Sequence, residues 1–280
     1  MSRRYIRDPY KFIVDEQNIL KGIRGTYANI AIPNNVEIIG SQLFSRERKL
    51  ESVIIPNSVL TIDAEAFYEC VNLESVVLSN RLRVIGHFAF HECEKLEQIT
   101  FFEGLKEIGS GAFSGCALSN VTIPSSVESI ASDSFDCDSL INIEVDENNQ
   151  WYKSIEGNLY SKDGRTLIRY AMGKNEESFT IPNAVTEIGR EAFACCNLST
   201  IILSDNITDI DAEAFCRCRN LKKLEIPHSV SNIGKCILHR SDSVELVVDP
   251  QNKYYKVKNG ELFTTKWGGL TKVPLTFNEH

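Results

Sequence analysis

The chain has 280 residues, with 30 basic and 38 acidic side chains, a formal net charge of −8 and a pI near 5.3. This acidic balance, without a run of basic residues, argues against nucleic acid or an anionic membrane surface as a partner. No stretch reaches the roughly 18–20 consecutive apolar residues of a membrane-spanning helix, so we predict no membrane insertion.

The N-terminal segment carries basic side chains, but no apolar run follows them, as it would in a secretory signal. We therefore expect a cytoplasmic protein if the sequence stands as written. If a leader has been removed, we expect a secreted or cell-surface protein, and both possibilities stay open here.

Residues 1–33 precede a repeat and do not follow its pattern. Phe12–Val14 and Ile30–Ile32 are predicted strands, with Gly22 and Gly25 between them. A stack of repeats exposes an apolar face and open strand edges at its first coil. We therefore predict that residues 1–33 form an N-terminal cap.

A repeat of 22 or 23 residues begins at residue 34 and is clearest in Val59–Asn80. Its large apolar position recurs at steps of 23, 23, 23, 22, 58, 22 and 23 residues. A fixed period in this range predicts a leucine-rich-repeat solenoid, because each coil can bury its apolar face only against its neighbours. We name the recurring position the phenylalanine column and predict that it is internal; its members are Phe44, Phe67, Phe90, Phe113, Phe135, Phe193, Phe215 and Leu238.

Each coil combines two kinds of segment. Leu73–Leu78 ends in the alternation of apolar and polar residues that is typical of a short strand. Asp63–Phe67 is predicted to form one helical turn. Glycines at the corner before this turn, such as Gly86 and Gly109, indicate either positive φ or a close backbone approach. The predicted fold is a right-handed superhelix, mainly β with short helical turns and interrupted by β-hairpins.

The repeats are interrupted once, and the interrupting pattern returns near the C terminus. Segments 145–171 and 248–274 align with each other, pairing Tyr152 with Tyr255 and Gly157 with Gly260, and both have hairpin turn signals. We predict an N-terminal cap (1–33), leucine-rich repeats 1–5 (34–145), a hairpin insert (146–182), repeats 6–8 (183–248) and a C-terminal hairpin cap (249–280).

Six of the nine cysteines lie two or three residues after the phenylalanine column. We name them the cysteine column: Cys70, Cys93, Cys116, Cys137, Cys196 and Cys218. Stacked coils place such residues about 5 Å apart, so we expect buried, reduced thiols that act as small hydrophobes. Disulfides between coils are the alternative. The spacing matches no zinc motif, and we predict neither a metal nor a cofactor.

The pattern V-x-x-I-G-x-x-A-F-x-x-C-x-x-L-x-x-I-x-I-P, carried by Val36–Val145 and Val185–Val248, resembles the BspA-like leucine-rich repeat family. The pattern D-x-x-N-x-x-Y-x-x-x-x-G-x-L-Y of Asp146–Tyr160 is similar to the hairpins of that family. The resemblance implies a binding scaffold without a catalytic motif. Many such proteins are bacterial or protozoan cell-surface or secreted proteins implicated in adhesion.

Candidate catalytic residues are few. His87, His91 and Cys93 would suit a Cys–His nucleophile, but the two histidines occupy variable positions of the repeat and are expected to face solvent. Cys195 and Cys216 stand outside the cysteine column and raise a redox function as a minor possibility. We predict that the protein is not an enzyme and keep a Cys/His enzyme as a remote alternative.

Outward residues of the strands form two rows. One is polar for most of its length: Ser52, Ser75, Gln98, Asn120, Asn142, Thr200, Lys223 and Glu245. The other, which we name the outer column, consists of Ile54, Val77, Thr100, Thr122, Glu144, Ile202, Glu225 and Val247. Its apolar members Ile54, Val77, Ile202 and Val247 are expected to face out of the sheet. Exposed apolar groups on a solvated sheet indicate an interaction surface, although β-branched residues also suit any strand.

We predict that the outer column binds a protein ligand of unknown identity, in recognition or adhesion. A structural or self-associating scaffold is the alternative, and the oligomeric state is not predicted. Aromatic residues of the two hairpins form a rival site, for which packing is the favoured interpretation: Trp151, Tyr152, Tyr160, Tyr170, Tyr254, Tyr255, Phe263 and Trp267.

Overall fold

The computed structural model describes residues 10–25, 27–241, 243–266 and 270–276. The chain divides into two compact units, Met1–Cys137 and Asp138–His280, named unit 1 and unit 2. The fold is a β-solenoid whose coils repeat about every 22 residues. Every regular element within these described ranges is a strand.

Unit 1 is built from short strands, most of two or three residues. They are β1 (Tyr10–Val14), β2 (Ile19–Gly25), β3 (Asn29–Ala31), β4 (Ile38–Ile39), β5 (Ser52–Ile54), β6 (Thr61–Ile62), β7 (Ser75–Val77), β8 (Val84–Ile85), β9 (Glu107–Ile108), β10 (Asn120–Ile123) and β11 (Ser129–Ile130). One sheet has the order β1-β2-β4-β6-β8-β9-β11 and is parallel from β2 onward, and a second parallel sheet has the order β3-β5-β7.

Unit 2 also contains sheets of short parallel strands, and it has two β-hairpins in addition. Its strands are β12 (Asn142–Val145), β13 (Tyr152–Ile155), β14 (Asn158–Ser161), β15 (Thr166–Arg169), β16 (Ser178–Thr180), β17 (Glu187–Ile188), β18 (Thr200–Ile202), β19 (Asp209–Ile210), β20 (Lys223–Ile226), β21 (Asn232–Ile233), β22 (Glu245–Val248), β23 (Tyr255–Lys258), β24 (Glu261–Thr264) and β25 (Thr271–Lys272). The sheets have the orders β13-β14-β15-β17-β19-β21, β16-β18-β20-β22 and β23-β24-β25.

The two hairpins of unit 2 have the same local structure. Tyr152 pairs with Ser161 in the first, and Tyr255 pairs with Thr264 in the second, at equivalent positions. Each hairpin turns through two residues with positive φ, 51° and 73° at residues 156–157 and 53° and 76° at residues 259–260. This is the backbone of a type I′ turn, whose twist matches that of the paired strands.

The N-terminal segment contains a strand that the sequence did not reveal. Gly22 and Gly25 were expected to lie between strands, but both belong to β2, which pairs antiparallel with β1 and parallel with β4. Ile13 lies opposite Gly22, where an added Cβ would be 3.3 Å from the Ile13 side chain. In unit 2, β14, β15 and β17 show the same antiparallel-then-parallel order. Each unit therefore stacks parallel coils on an antiparallel hairpin.

The phenylalanine column is internal, as predicted, and its rings stack. Phe67 lies 5.0 Å from both Phe44 and Phe90, measured between ring centroids, with interplanar angles of 8° and 3°. The stack continues through Phe113 to Phe135 at 5.3 and 5.6 Å. All of these rings are buried. The spacing is close to the separation of neighbouring strands, so each coil contributes one ring to a continuous stack.

The segment predicted to be a helical turn is not helical. Glu65 and Glu69 have φ of 58° and 53°, and two such positions, four residues apart, recur in other coils. Left-handed residues interrupt the helical hydrogen-bond pattern. They also turn alternate N–H groups toward the next coil, as in Phe67, whose N–H donates to the Ala89 carbonyl at 2.8 Å. The turn therefore joins coils as the strands do.

Space requires the glycines at the corners of several coils. A Cβ added to Gly86 would lie 2.7 Å from the backbone nitrogen of Ala64, and one added to Gly109 would lie 2.7 Å from that of His87. Neither glycine has positive φ. Close approach of successive coils, the second of the two predicted reasons, explains these residues.

Candidate functional site

In unit 1 the outer column begins on the parallel pair β5 and β7. Ile54 lies opposite Val77 in the register of the two strands, and the side chains are 53% and 51% exposed. Val53, between two outward residues, is buried. Since parallel neighbours lie about 4.8 Å apart, the two β-branched side chains form one apolar patch. Thr122, on β10, is also exposed.

In unit 2 the outer column is more polar. Ile202 on β18 is 48% exposed, and Glu225 on β20 lies opposite Val247 on β22. Val247, which was predicted to face out of the sheet, is half-buried, whereas Glu225 and Glu144 are exposed. Glu225 forms an ion pair with Lys223 of the same strand, and this hydrogen-bonded carboxylate raises the pKa of Lys223.

Thr100 does not lie on a strand, contrary to its assignment to the outer column. It is exposed, but residues 96–102 contain no strand, and β7 ends the sheet of β3 and β5. The adjacent Phe101 occupies a position filled by smaller residues, Ile55 and Leu78, in the preceding coils. Its ring packs edge-on against Phe113 at 5.5 Å. A larger side chain in a packed position shifts the backbone, which explains the interrupted sheet.

The structure adds two residues to the outer column. Ala31 lies opposite Ile54, and Thr180 lies opposite Ile202; both are exposed. Their signal in the sequence is the repeat itself, because each precedes its neighbour by one period, 23 and 22 residues. Each predicted repeat contains a phenylalanine-column residue followed by its strand. No predicted member of that column precedes Ala31 or Thr180 within its coil, so these two residues were missed.

The hairpin aromatics divide into packing and exposed residues. Tyr160, Tyr170 and Tyr255 are buried, and Tyr170 stacks on Phe193 at 5.5 Å as a further member of the phenylalanine column. Trp151 and Tyr254 occupy equivalent positions of the two hairpins and are 43% and 39% exposed. Tyr152 and Phe263 are half-buried, and Trp267 lies outside the described residues.

Burial and hydrogen bonding set the ionisation of the buried tyrosines. Desolvation raises the pKa of Tyr160 to about 12. It also raises the pKa of Tyr170, whose hydroxyl donates to a carboxylate oxygen of Glu176 at 2.9 Å. Both hydroxyls therefore stay protonated near neutrality.

His87, His91 and Cys93 do not assemble into a nucleophile and base. Cys93 is fully buried, and its thiol donates to the carbonyl of Phe67 at 3.2 Å. The Nδ1 of His87 accepts the N–H of Ser110 at 2.9 Å, and His91 stacks on Tyr68. Each side chain is therefore engaged in holding neighbouring coils together.

The chain belongs to the BspA-type leucine-rich repeat family. The model of the BspA type leucine-rich repeat region matches residues 23–141, 60–163 and 169–263, which together span more than half of the chain. The resemblance suggested by the repeat pattern is thereby confirmed. A comparison with curated proteins gave no match.

Solved bacterial structures share the BspA-type fold. A leucine-rich repeat protein from Eubacterium ventriosum is 22% identical, with a TM-score of 0.65 over 87% of this chain and 71% of that chain. The pneumococcal vaccine antigen PcpA is 22% identical, with a TM-score of 0.63 over 86% and 80%. A leucine-rich cell surface protein from Faecalibacterium prausnitzii is 24% identical, with a TM-score of 0.54 over 89% of each chain.

Thiols of the cysteine column form hydrogen bonds to the preceding coil that the sequence pattern alone does not predict. The thiols of Cys70, Cys116, Cys137 and Cys218 each donate to the carbonyl of a phenylalanine-column residue one coil earlier, at 3.0–3.1 Å. These four thiols are buried, as predicted. Burial raises the pKa of Cys70 to about 12, so the thiol stays protonated and keeps its donor.

Ion pairs on the surface of the BspA-type coils also run from one coil to the next. Arg46 pairs with Glu69 at 3.1 Å and Arg190 with Glu213 at 2.6 Å, each pair separated by 23 residues. Exposed pairs contribute little to stability because solvent screens them. They therefore help to set the register of the coils more than the stability of the fold.

No helix in the described ranges is long and apolar enough to cross a bilayer. In the same part of the chain, no group of three or more His, Cys, Asp or Glu side chains is arranged to hold a metal ion.

Proposed function

We propose that this BspA-type protein is a non-enzymatic scaffold for protein recognition or adhesion, and that the outer column of its coils contacts the ligand. The observation that carries the proposal is the exposure of the apolar side chains of Ile54, Val77 and Ile202, each of which follows a more buried residue on its strand. When a partner covers apolar side chains, the free energy of binding becomes more favourable by about 25 cal/mol for each Å² removed from water. They are therefore a source of binding energy that the folded chain leaves unused.

The chemistry of the repeats supports binding over catalysis. The candidate nucleophile Cys93 is buried and donates to a backbone carbonyl, and His87 accepts a backbone N–H. Among the similar solved structures, one is described as a leucine-rich repeat protein and another as a leucine-rich cell surface protein. A repeat scaffold of this kind offers an extended surface for another macromolecule.

Affinity capture tests the proposal. The wild-type chain is immobilised and exposed to proteins of the medium or host surface that it meets, and captured proteins are identified by mass spectrometry. A variant with Ile54→Asp, Val77→Asp and Ile202→Asp should fold, because these side chains are exposed, and should lose the captured partner. Retention of the same partner by the folded variant removes the outer column as the binding surface.

A matched variant separates the outer column from the hairpins. Trp151→Asp and Tyr254→Asp place the same new charge on the two exposed hairpin aromatics. We expect this variant to keep the partner. Loss of capture here, with retention in the outer-column variant, would assign the site to the hairpins.

Size-exclusion chromatography distinguishes the self-associating scaffold. If the protein forms oligomers that the three outer-column substitutions dissolve, the ligand of this surface is a second copy of the chain. A wild-type chain that elutes as a monomer leaves recognition of another protein as the function of the outer column.

A further inference from the structure

Cys196 differs from the other members of the cysteine column. The contact of its sulfur is with the sulfur of Cys218, one coil later, at 3.5 Å. Cys218 itself donates to the carbonyl of Phe193 at 3.0 Å, as the regular members of the column do. Both sulfurs are buried, Cys196 at 1% and Cys218 at 0% exposure. Two thiols are therefore held in contact inside unit 2.

A cation lies near this pair. Arg169 is buried, and its Nη1 and Nη2 atoms donate to the carbonyls of Glu191 and Ala194 at 2.9 and 3.3 Å. Contact with the Cys218 sulfur, together with the backbone N–H of Leu198 and the positive charge of Arg169, lowers the pKa of Cys196. The same contact with Cys196, together with burial, raises the pKa of Cys218. Cys218 therefore keeps its proton, which it donates to the Phe193 carbonyl, whereas Cys196 ionises more readily and is the stronger nucleophile.

The chain contains a natural control for this pair. Cys93 and Cys116 occupy adjacent coils of unit 1 in the same column, and each donates to a phenylalanine-column carbonyl at 3.2 and 3.1 Å. Burial, with the neighbouring Cys93, raises the pKa of Cys116. The two pairs share the geometry of the coils and differ in the charge of Arg169, which acts on Cys196.

We propose that Cys196 and Cys218 form a peroxide-reactive dithiol that closes to a disulfide between two neighbouring coils. Parallel neighbours in a sheet lie about 4.8 Å apart, within the backbone separations that disulfides span. The sulfurs need to approach from 3.5 Å to about 2.0 Å. A small shift of two side chains is enough, and the coils keep their register.

Hydrogen peroxide is the oxidant, and it is small enough to reach a buried sulfur through local opening. The Cys196 thiolate attacks one peroxide oxygen, the O–O bond breaks, and the leaving hydroxide takes a proton to form water. The product is a sulfenic acid on Cys196. The Cys218 sulfur then attacks the Cys196 sulfur, the S–O bond breaks, and the Cys218 proton leaves with the oxygen as a second water. Two thiols and one peroxide become one disulfide and two waters.

Thiol counting on the full-length reduced chain tests the proposal. After treatment with one molar equivalent of hydrogen peroxide, the denatured protein should have lost two of its nine thiols, and a reductant should restore them. A Cys93→Ser, Cys116→Ser double variant should lose two thiols at the wild-type rate. Serine suits these positions because Ser241, in the same column, donates to the Phe215 carbonyl at 2.7 Å.

Peptide mapping identifies the bond. Trypsin cleaves after Arg190, Arg217 and Arg219, which releases Cys218 in a two-residue peptide. In the oxidised chain we expect this dipeptide to be linked to the peptide of residues 191–217. The link should persist in a Cys195→Ser, Cys216→Ser variant and disappear in Cys196→Ser.

The rate sharpens the assignment. The Cys196–Cys218 link should form at least roughly tenfold faster than any link between Cys93 and Cys116, because the thiolate is the reacting species. The proposal is overturned if no thiols are lost, if the link joins other cysteines such as Cys195 and Cys216, or if the two column pairs close equally fast. Mapping of the wild-type chain decides among these results even if a serine variant does not fold.

Discussion

The phenylalanine and cysteine columns differ between the two units. In unit 1, successive ring pairs from Phe44 to Phe135 are nearly parallel, with interplanar angles of 3–8°. In unit 2 the stack starts at Tyr170, whose ring is tilted by 28° against Phe193, and ends at Leu238. Thiol donors serve every coil of unit 1 from Cys70 to Cys137, whereas unit 2 ends with the hydroxyl of Ser241.

Each column position therefore requires a side chain with a particular physical role, and more than one residue type can meet it. Any side chain that fills the space between two coils serves in the phenylalanine column. Any small donor that reaches the carbonyl of the preceding coil serves in the cysteine column. Cys196, whose sulfur contacts that of Cys218 instead of a carbonyl, is the irregular member for which we propose chemistry beyond packing.

The largest expected effect breaks the ring stack itself. Phe67→Ala removes a fully buried ring that lies 5.0 Å from both neighbours, and we expect the free energy of unfolding to fall by about 3–5 kcal/mol. Chemical denaturation measures it. The exposed Phe102 is the control, since Phe102→Ala should cost less than about 1 kcal/mol. Full stability of the Phe67 variant would mean that the column is not internal.

The next largest effect is expected at Ser241, the hydroxyl donor that replaces a thiol in the cysteine column. Ser241→Ala removes the bond to the Phe215 carbonyl and leaves the Cys218 N–H, which donates to the Ser241 hydroxyl at 2.9 Å, without that acceptor. We expect a loss of about 1–3 kcal/mol in unfolding free energy. Ser241→Cys, which restores the donor used in other coils, should lose clearly less. Equal losses in the two variants would show that the donor has no role.

Alkaline pH tests the buried thiols of both units. Burial raises the pKa of Cys70, in unit 1, and of Cys216, in unit 2, from 9.0 to about 12. A raised pKa means that the folded chain holds these protons more tightly than the unfolded chain, so their contribution is complete below about pH 9 and is lost between about 9 and 12. Denaturation across that range should show falling stability. Cys70→Ser should flatten the fall, and an unchanged slope would contradict the assignment.

The smallest effect is expected on the outside of the same coil that contains Phe67. Val77→Asp changes an exposed side chain, so the unfolding free energy should stay within about 0.5 kcal/mol of the wild-type value. Thermal denaturation of the single variant is sufficient. A loss comparable to that of Phe67→Ala would show that the outer column supports the fold and is not free to bind.

Features set by contacts between coils could be predicted from the sequence. Phe67 and Cys70 recur because each must fit the coil before and the coil after, so a single period reveals both their burial and their alignment. The hairpins could be predicted because Gly157 and Gly260 supply the positive φ that a two-residue turn requires.

Other features leave no such signal. The left-handed turn positions hold Glu65, Glu69 and Cys195 as well as Gly111, so residue type does not disclose them. Tyr170 belongs to the phenylalanine column, but the hairpin insert places it 35 residues after Phe135 and hides the 23-residue step to Phe193. The sheet interruption at Thr100 depends on the packing of Phe101, which no period encodes.

The most direct test of recognition through the outer column is hydrogen exchange of the chain alone and in complex with its captured partner. The account predicts slower exchange on binding at the backbone amides of β5, β7 and β18, which carry Ile54, Val77 and Ile202. Protection confined to the hairpins around Trp151 and Tyr254, with these three strands unchanged, would contradict it.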